Sequence, residues 1–213
     1  MNRRLPIFAL PGVVLMPETL LPLHIFEPRY RAMVADALEG DRTIGMALMK
    51  PGWEEGGRDP EVFSVGGAGE IVDAEHLDDG RYNIVLRGRF RYRILQEGST
   101  DPYREARVEE VASLPFPDPS SAARAQDALQ RLFGELSTVM ELPPLPAEDL
   151  SAERFASEVA LRLRYAPPEL QGLLELDAVS ARFEQLRARL DEWKRRIGLL
   201  APFRPSELDP GRN

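Results

Sequence analysis

A chain of 213 residues can form one large domain or two small ones, and folding at this length buries roughly 70% of the unfolded surface. With 43% hydrophobic and 29% charged residues, the composition is that of a folded globular protein rather than a disordered one. A formal net charge of -8 opposes a broad phosphate-binding surface, the absence of cysteine excludes disulfides, thiolate metal sites and a cysteine nucleophile, and two histidines argue against a histidine-rich metal site.

Arg3 and Arg4 followed by apolar residues superficially resemble a secretion signal, but Pro6 and Pro11-Gly12 interrupt it and no small-x-small cleavage site follows. Leu5 to Leu10 therefore reads as a first strand, closed by the Pro11-Gly12 turn, with Val13 to Met16 extended after it. Leu20 to Phe26 is a further extended piece whose flanking and internal prolines, Pro17 and Pro22, suit an edge. Pro28 is placed to open a helix, with Tyr30, Met33, Val34, Ala37 and Leu38 on one face and Gly40 as its stop. Ile44 to Met49 reads as a buried strand. The loop from Pro51 to Pro60 carries Trp53, whose ring is expected to fold back over the sheet edge.

Phe63 to Ala74 is a strand pair or one bent strand, and Gly66, Gly67 and Gly69 permit a bulge or a close backbone crossing. These glycines match neither a phosphate loop nor a dinucleotide fingerprint. Asp78-Asp79-Gly80 signals a turn into Tyr82 to Ile94, the clearest alternating pattern in the chain. If its register continues through Gly88, then Arg87, Arg89, Arg91 and Arg93 share one face; a turn at Gly88 would split them. Arg104 to Val111 is the last strand.

The proline-rich run Leu114 to Pro119 divides a strand-rich first half, residues 1–114, from a helical second half, residues 115–200. Asp118 and Pro119 begin a long helix lined by Leu129, Leu132, Phe133, Leu136, Val139 and Met140. Ser151 caps a second helix, Pro167-Pro168 restarts a third that runs to Leu176, and Asp177 is expected to cap the last. Val179, Phe183, Leu186, Leu190, Trp193 and Ile197 form a seam in that helix, ended by Gly198. It is expected to pack within an antiparallel bundle rather than across a dimer, because it spans fewer than three heptads. Residues 201–213 read as a loosely ordered tail.

No chemistry of catalysis emerges. His24 lies in an apolar strand and His76 beside an acidic turn, no G-x-S-x-G elbow accompanies them, and neither Lys50 nor Lys194 sits in a serine motif. The expectation is a non-enzyme without catalytic residues, metal or other cofactor. No run approaches about 18 uninterrupted apolar residues, so no membrane-spanning helix is expected, and the cysteine-free composition is compatible with the cytoplasm.

Several motifs together resemble the N-terminal substrate-recognition domain of Lon-type ATP-dependent proteases. They are Leu5 to Pro11 (LPIFALP), Met16-Pro17, Leu21 to Tyr30 (LPLHIFEPRY), Val65-Gly66 with Ala68 to Ile71, and Asp79 to Ile84 leading into Gly88 to Ile94 (GRFRYRI). Leu170 to Glu175 and Arg182 to Leu190 resemble the end of that domain, and the likeness covers most of residues 1–197. It implies an α+β fold: an N-terminal β-barrel of the pseudouridine-synthase-associated (PUA-like) type with one short helix, followed by a C-terminal helical bundle. The sequence has neither a Walker A motif nor the length for ATPase and protease modules. The likeness therefore implies a free-standing, non-catalytic binder or adaptor for unfolded or specific polypeptides, monomeric or homodimeric, that serves an ATP-dependent protease.

Leu15, Met16, Trp53 and Phe63 are the expected peptide-binding residues, from their place around a barrel rim. His24, Phe26, Glu27, Pro28, Arg29 and Tyr30 are expected to form a structural corner in which Leu21, Leu23, Ile25 and Phe26 fix the strand, Pro28 opens the helix and Glu27 holds an arginine. An RNA-binding module using Arg87, Arg89, Arg91 and Arg93 is one alternative, which the net charge opposes. A structural homo-oligomer built on the Val179 to Ile197 seam is another.

Overall fold

The computed structural model describes residues 2–55, 57, 60–98 and 101–200. The tail expected over residues 201–213 lies outside the described residues. Six strands, β1 (Asn2–Leu10), β2 (Leu20–Ile25), β3 (Thr43–Leu48), β4 (Val65–His76), β5 (Tyr82–Glu97) and β6 (Glu105–Val111), combine with five helices. The helices are α1 (Pro28–Glu39), α2 (Pro119–Met140), α3 (Ala152–Arg162), α4 (Pro167–Glu175) and α5 (Val179–Leu200). The fold is α+β, with a mixed sheet in which β1 and β3 run parallel and the other pairings are antiparallel.

Strand order is β2-β5-β4-β3-β1-β6, and β5 also pairs with β6, so the pairings from β5 through β4, β3, β1 and β6 return to β5. The length of β5 makes this closure possible. Tyr82 to Arg87 pair with β2, and Arg91 to Glu97 pair with β6. Among the described strands β2 alone has a single neighbour. The Gly88 N–H donates to the Thr19 carbonyl, and alternation from there turns the backbone N–H and C=O groups of Leu20, Pro22 and His24 away from β5. Pro22 thus lies where a missing N–H removes no ladder bond.

β4 is one strand, not a pair, and β5 runs unbroken through Gly88. Three residues interrupt their registers as bulges: Arg89 opposite the Ala68–Gly69 step, Val72 opposite the Leu86–Val85 step, and Leu95 opposite the Val108–Arg107 step. The hairpin between β4 and β5 turns at Gly80, whose φ of 79 requires glycine-like freedom. Asp79 stabilises this turn by accepting the Arg81 N–H at 3.1 Å and Arg81 Nε at 2.6 Å.

The 21–31 corner is assembled largely as its residues suggest. Pro28 opens α1, the Tyr30 hydroxyl donates to the Ala9 carbonyl at 3.2 Å, and its ring packs on Phe8. Ile25, Tyr30, Met33 and Val34 fill the core between α1 and the sheet. Glu27 holds Arg29, with Nε at 3.1 Å from Oε2, but the pair is partly exposed and is worth only about 0.2–1 kcal/mol. Phe26 does not anchor the strand: it is 60% exposed. His24 Nδ1 lies 2.7 Å from Asn83 Oδ1, and its Nε2 lies 3.1 Å from an Arg81 guanidinium nitrogen, so the ring is held from both sides.

In the helical half, Asp118 caps α2 through the Ser121 N–H and Ser151 caps α3 through the Arg154 N–H. The α5 seam is consumed inside the chain. Val179, Phe183, Leu186 and Leu190 are buried with Leu129, Phe133 and Leu136 of α2 and Phe155 and Val159 of α3, and Trp193 and Ile197 pack partly buried against the same core. Two expectations fail at the ends of α5. Asp177 directs Oδ1 to Arg91, and Gly198 lies within the helix rather than ending it.

Candidate functional site

The segment from Val13 to Pro17 forms no strand but crosses the sheet, and glycines make the crossing possible. A Cβ on Gly67 would stand 2.1 Å from the Leu15 carbonyl oxygen, and one on Gly88 would stand 2.2 Å from that of Met16. Leu15 points into the core beneath α1, whereas Met16 joins Val14, Leu48 and Val65 in the core shared with α2 to α5. Each is 1% exposed. Neither is a surface residue, which overturns their assignment as peptide contacts.

After the crossing the backbone reverses at Glu18, a non-glycine residue at φ 60. The Glu18 N–H donates to Gly88 O at 3.0 Å, the Thr19 hydroxyl donates to Met16 O at 2.9 Å, and the Ser151 hydroxyl lies 3.0 Å from both Glu18 carboxylate oxygens. A left-handed glutamate costs on the order of 1 kcal/mol or more and persists because these contacts over-determine it. Glu18 thereby stands on the border of two concavities. One is a cleft of about 570 Å³ lined by Leu20, Arg87, Arg89, Phe90, Glu110 and Arg154. The other is a more apolar slot of about 370 Å³, walled by Pro115, Phe116, Pro119, Ala122 and Val179. The Phe116 ring is held edge-on against Phe183, which makes the proline-rich run between the halves a fixed wall.

A buried polar junction holds the two sides of the cleft together. Arg91, 1% exposed, donates to Leu174 O at 3.0 Å, Ala112 O at 2.9 Å, Ser113 Oγ at 3.3 Å and Asp177 Oδ1 at 3.1 Å. Beside it Arg182 donates to Glu153 Oε1 at 2.8 Å, to Leu176 O and to Ser113 Oγ. Burial first, and then repulsion from Arg182, lower the Arg91 pKa below the usual guanidinium value. The arginine row of β5 is accordingly divided. Arg87, Arg89 and Arg93 are exposed, Arg89 pairs with Glu70, and Arg91 is structural. A four-arginine nucleic-acid face does not exist.

The remaining expected contacts also miss the cleft. Trp53, 38% exposed on a single 3-10 turn over Trp53–Glu55, lines neither concavity, and Phe63 is half-buried against the core shared with the helices. Sequence reasoning missed Glu18, Leu20, Phe116 and Arg154. The one available signal was the proline-flanked crossing before β2; the run Leu114 to Pro119 reads as a boundary and turns out to be a wall. Among the described residues no group of three or more His, Asp or Glu could hold a metal ion, and no helix is long and apolar enough to cross a membrane.

Fold and site together define an α+β chain in which the sheet and the helices border an open cleft of mixed apolar and charged lining. More particularly, residues 4–192 match the family described as the ATP-dependent protease La (LON) substrate-binding domain, and the chain belongs to that family. It is 25% identical over 188 residues to a Lon protease of Syntrophomonas wolfei, covering 86% of this chain and 23% of that protein. It is 26% identical over 189 residues to one from Dictyoglomus thermophilum, covering 85% of this chain and 23% of that protein. The chain thus spans about a quarter of the length of these relatives. Two solved structures share the fold. A Lon N-terminal domain protein from Xanthomonas campestris has a TM-score of 0.64 at 24% identity, covering 87% of this chain and 98% of that one. The N-terminal domain of a Mycobacterium avium complex Lon protease has a TM-score of 0.67 at 15% identity, covering 89% and 98%.

Proposed function

We propose that the protein binds extended polypeptide in the cleft between its sheet and helical halves, as a non-catalytic recognition or adaptor domain. The observation that carries this reading is the cleft bordered by Glu18. Leu20, 53% exposed, stands there beside the Arg87 and Arg154 donors and the Glu18 and Glu110 acceptors, so one groove meets both the side chains and the main chain of an extended peptide. Membership of the substrate-binding family supports the same reading. The closed circuit of strand pairings supports a PUA-like β-barrel over residues 1–114, and the buried α5 seam supports a helical bundle over residues 115–200. In this reading the partners are unfolded or specific polypeptides and an ATP-dependent protease that receives them, the setting is cytoplasmic, and the chain acts as a monomer or homodimer. The net charge of -8 and the burial of Arg91 disfavour RNA.

Fluorescence anisotropy with a labelled, permanently unfolded polypeptide tests the proposal. Saturable binding is expected with a Kd on the order of 10 μM, weakened about fivefold or more by Leu20→Asp with the melting temperature unchanged. Absence of saturation at about 100 μM would overturn it.

A further inference from the structure

The outer face of β2, β5 and β4 carries an apolar stripe that no part of the described chain covers. The register places Leu20 beside Arg87, Pro22 beside Val85 and His24 beside Asn83, and β4 continues these rows with Glu70, Asp73 and Glu75. Leu20, Pro22 and Val85 therefore share one side of the sheet, and the bulge at Val72 turns a further apolar side chain outward, 39% exposed. Phe26 extends the stripe past the end of β2. Its ring stacks on His24 at 6.3 Å, while the contacts of His24 to Asn83 and Arg81 hold the imidazole in place. Three of the large exposed apolar residues, Leu20, Phe26 and Val72, thus gather on one face. Such clustering marks a contact surface, whereas scattered exposed residues do not.

Charge decides what can occupy it. A groove of about 390 Å³ runs along this stripe between Pro22, His24, Asp73, Glu75 and Val85, and no lysine or arginine lines it. Glu75 accepts only from the Asn83 amide, and neither Asp73 nor Glu75 takes part in an ion pair among the described residues. At its other end the stripe reaches Leu20, which also lines the cleft beside Arg87. The surface is therefore continuous with the cleft at Leu20, offers Pro22, Val85 and Phe26 as apolar contacts, and is negative at the end formed by Asp73 and Glu75.

Resting on the polypeptide-binding reading, we propose that this face extends the cleft and selects the bound segment: an apolar stretch followed by a lysine or arginine whose cation lies over Asp73 and Glu75. A long basic side chain suits this end, since its stem covers apolar surface while its head reaches the carboxylates.

The test uses two labelled peptides of one apolar sequence, ending in lysine or in the uncharged isostere norleucine, titrated by anisotropy against the full chain at low salt. The lysine peptide is expected to bind about three- to tenfold more tightly, and the preference should vanish in Asp73→Asn/Glu75→Gln, which leaves the norleucine peptide unaffected. Added salt should erase the same preference. Phe26→Ser should weaken both peptides about tenfold, which a charge effect alone would not do. Equal affinity of the parent for the two peptides, or a preference that survives the double substitution, overturns the selectivity while leaving polypeptide binding in the cleft intact. Failure of both peptides and of unfolded polypeptide overturns both readings. Self-association abolished by Phe26→Ser, without peptide binding, would assign the face to a second copy of the chain.

Discussion

Replacing Arg91 with alanine probes the joint between the halves. The substitution strands the Ala112 and Leu174 carbonyls, which accept from Arg91 at 2.9 Å and 3.0 Å, and each costs about 1–3 kcal/mol if left without a donor. Asp177 is half exposed and returns to water at little cost. Relief of the guanidinium's desolvation and of its repulsion with Arg182 offsets part of the loss. The net destabilisation expected is about 2–4 kcal/mol, at or below the usual cost of removing one partner from a buried ion pair. With a urea slope of about 2 kcal/mol/M, the midpoint should fall by about 1–2 M. The chain has two tryptophans, one in each half: Trp53 follows β3 and Trp193 lies in α5. Trp53→Phe and Trp193→Phe backgrounds therefore report on the two halves separately. Their transitions should coincide in the parent, because Met16 and Val65 share a core with the helices, and both should shift in Arg91→Ala. Arg87→Ala and Arg93→Ala, on the same strand but exposed, should stay within about 0.5 kcal/mol of the parent. If Arg91→Ala matched those two variants, the polar junction would not be what joins the halves.

Gly88→Ala should cost about 3 kcal/mol or more in urea unfolding, since its Cβ meets backbone at Met16, whereas Gly134→Ala, with open space around it in α2, should gain about 0.5–1 kcal/mol; similar values for the two would refute the close crossing. Two carboxyls make stability depend on acid. Hydrogen bonds from the Arg81 side chain hold Asp79 at about 2, and those from the Ser120 hydroxyl and Ser121 N–H hold Asp118 at about 2, each below the ordinary 3.8. A depressed folded-state pKa contributes stability that is present above the unfolded value and lost as pH falls through the folded one. Urea midpoints should therefore drop between about pH 5 and pH 2, and less steeply in Asp79→Asn/Asp118→Asn, in which asparagine still caps α2. An identical acid limb in the double variant would contradict these assignments.

The elements were legible wherever the chain announces them locally. Pro28 before an apolar helical face, Asp118-Pro119 and Ser151 as caps, and Asp79-Gly80 as a turn each act through their own backbone, and the structure places them accordingly. The arginines of β5 were not legible in this way. Alternation in the sequence gives Arg87, Arg89, Arg91 and Arg93 the same parity, yet the bulge at Arg89 shifts the register between Arg87 and Arg91, and contact with Ala112, Leu174 and Asp177, distant in sequence, buries Arg91 while Arg93 stays solvated. Asp177 illustrates the converse, since an acidic residue before a helix invites reading as a cap while its carboxylate serves an arginine 86 positions away. Leu15 and Met16 were misassigned for a related reason: two apolar residues in a non-strand segment can line a rim or cross a sheet, and the glycines that settle the matter lie on β4 and β5.

Those glycines tie the proposed binding surface to the stability of the fold. Because Gly67 and Gly88 let the Leu15–Met16 backbone cross in contact with the sheet, Met16 reaches the helical core, and the chain must then reverse within three residues to enter β2. The reversal falls on Glu18 at φ 60, and the Ser151 hydroxyl that caps α3 also holds its carboxylate. One short segment thus packs the halves together, sets the border between the two concavities and fixes where Leu20 emerges. The cleft is therefore not a gap left between two independent bodies. Its width follows from the same Met16 packing that joins them, so substitutions that loosen this core should alter binding through Glu18 and Leu20 without touching a cleft residue.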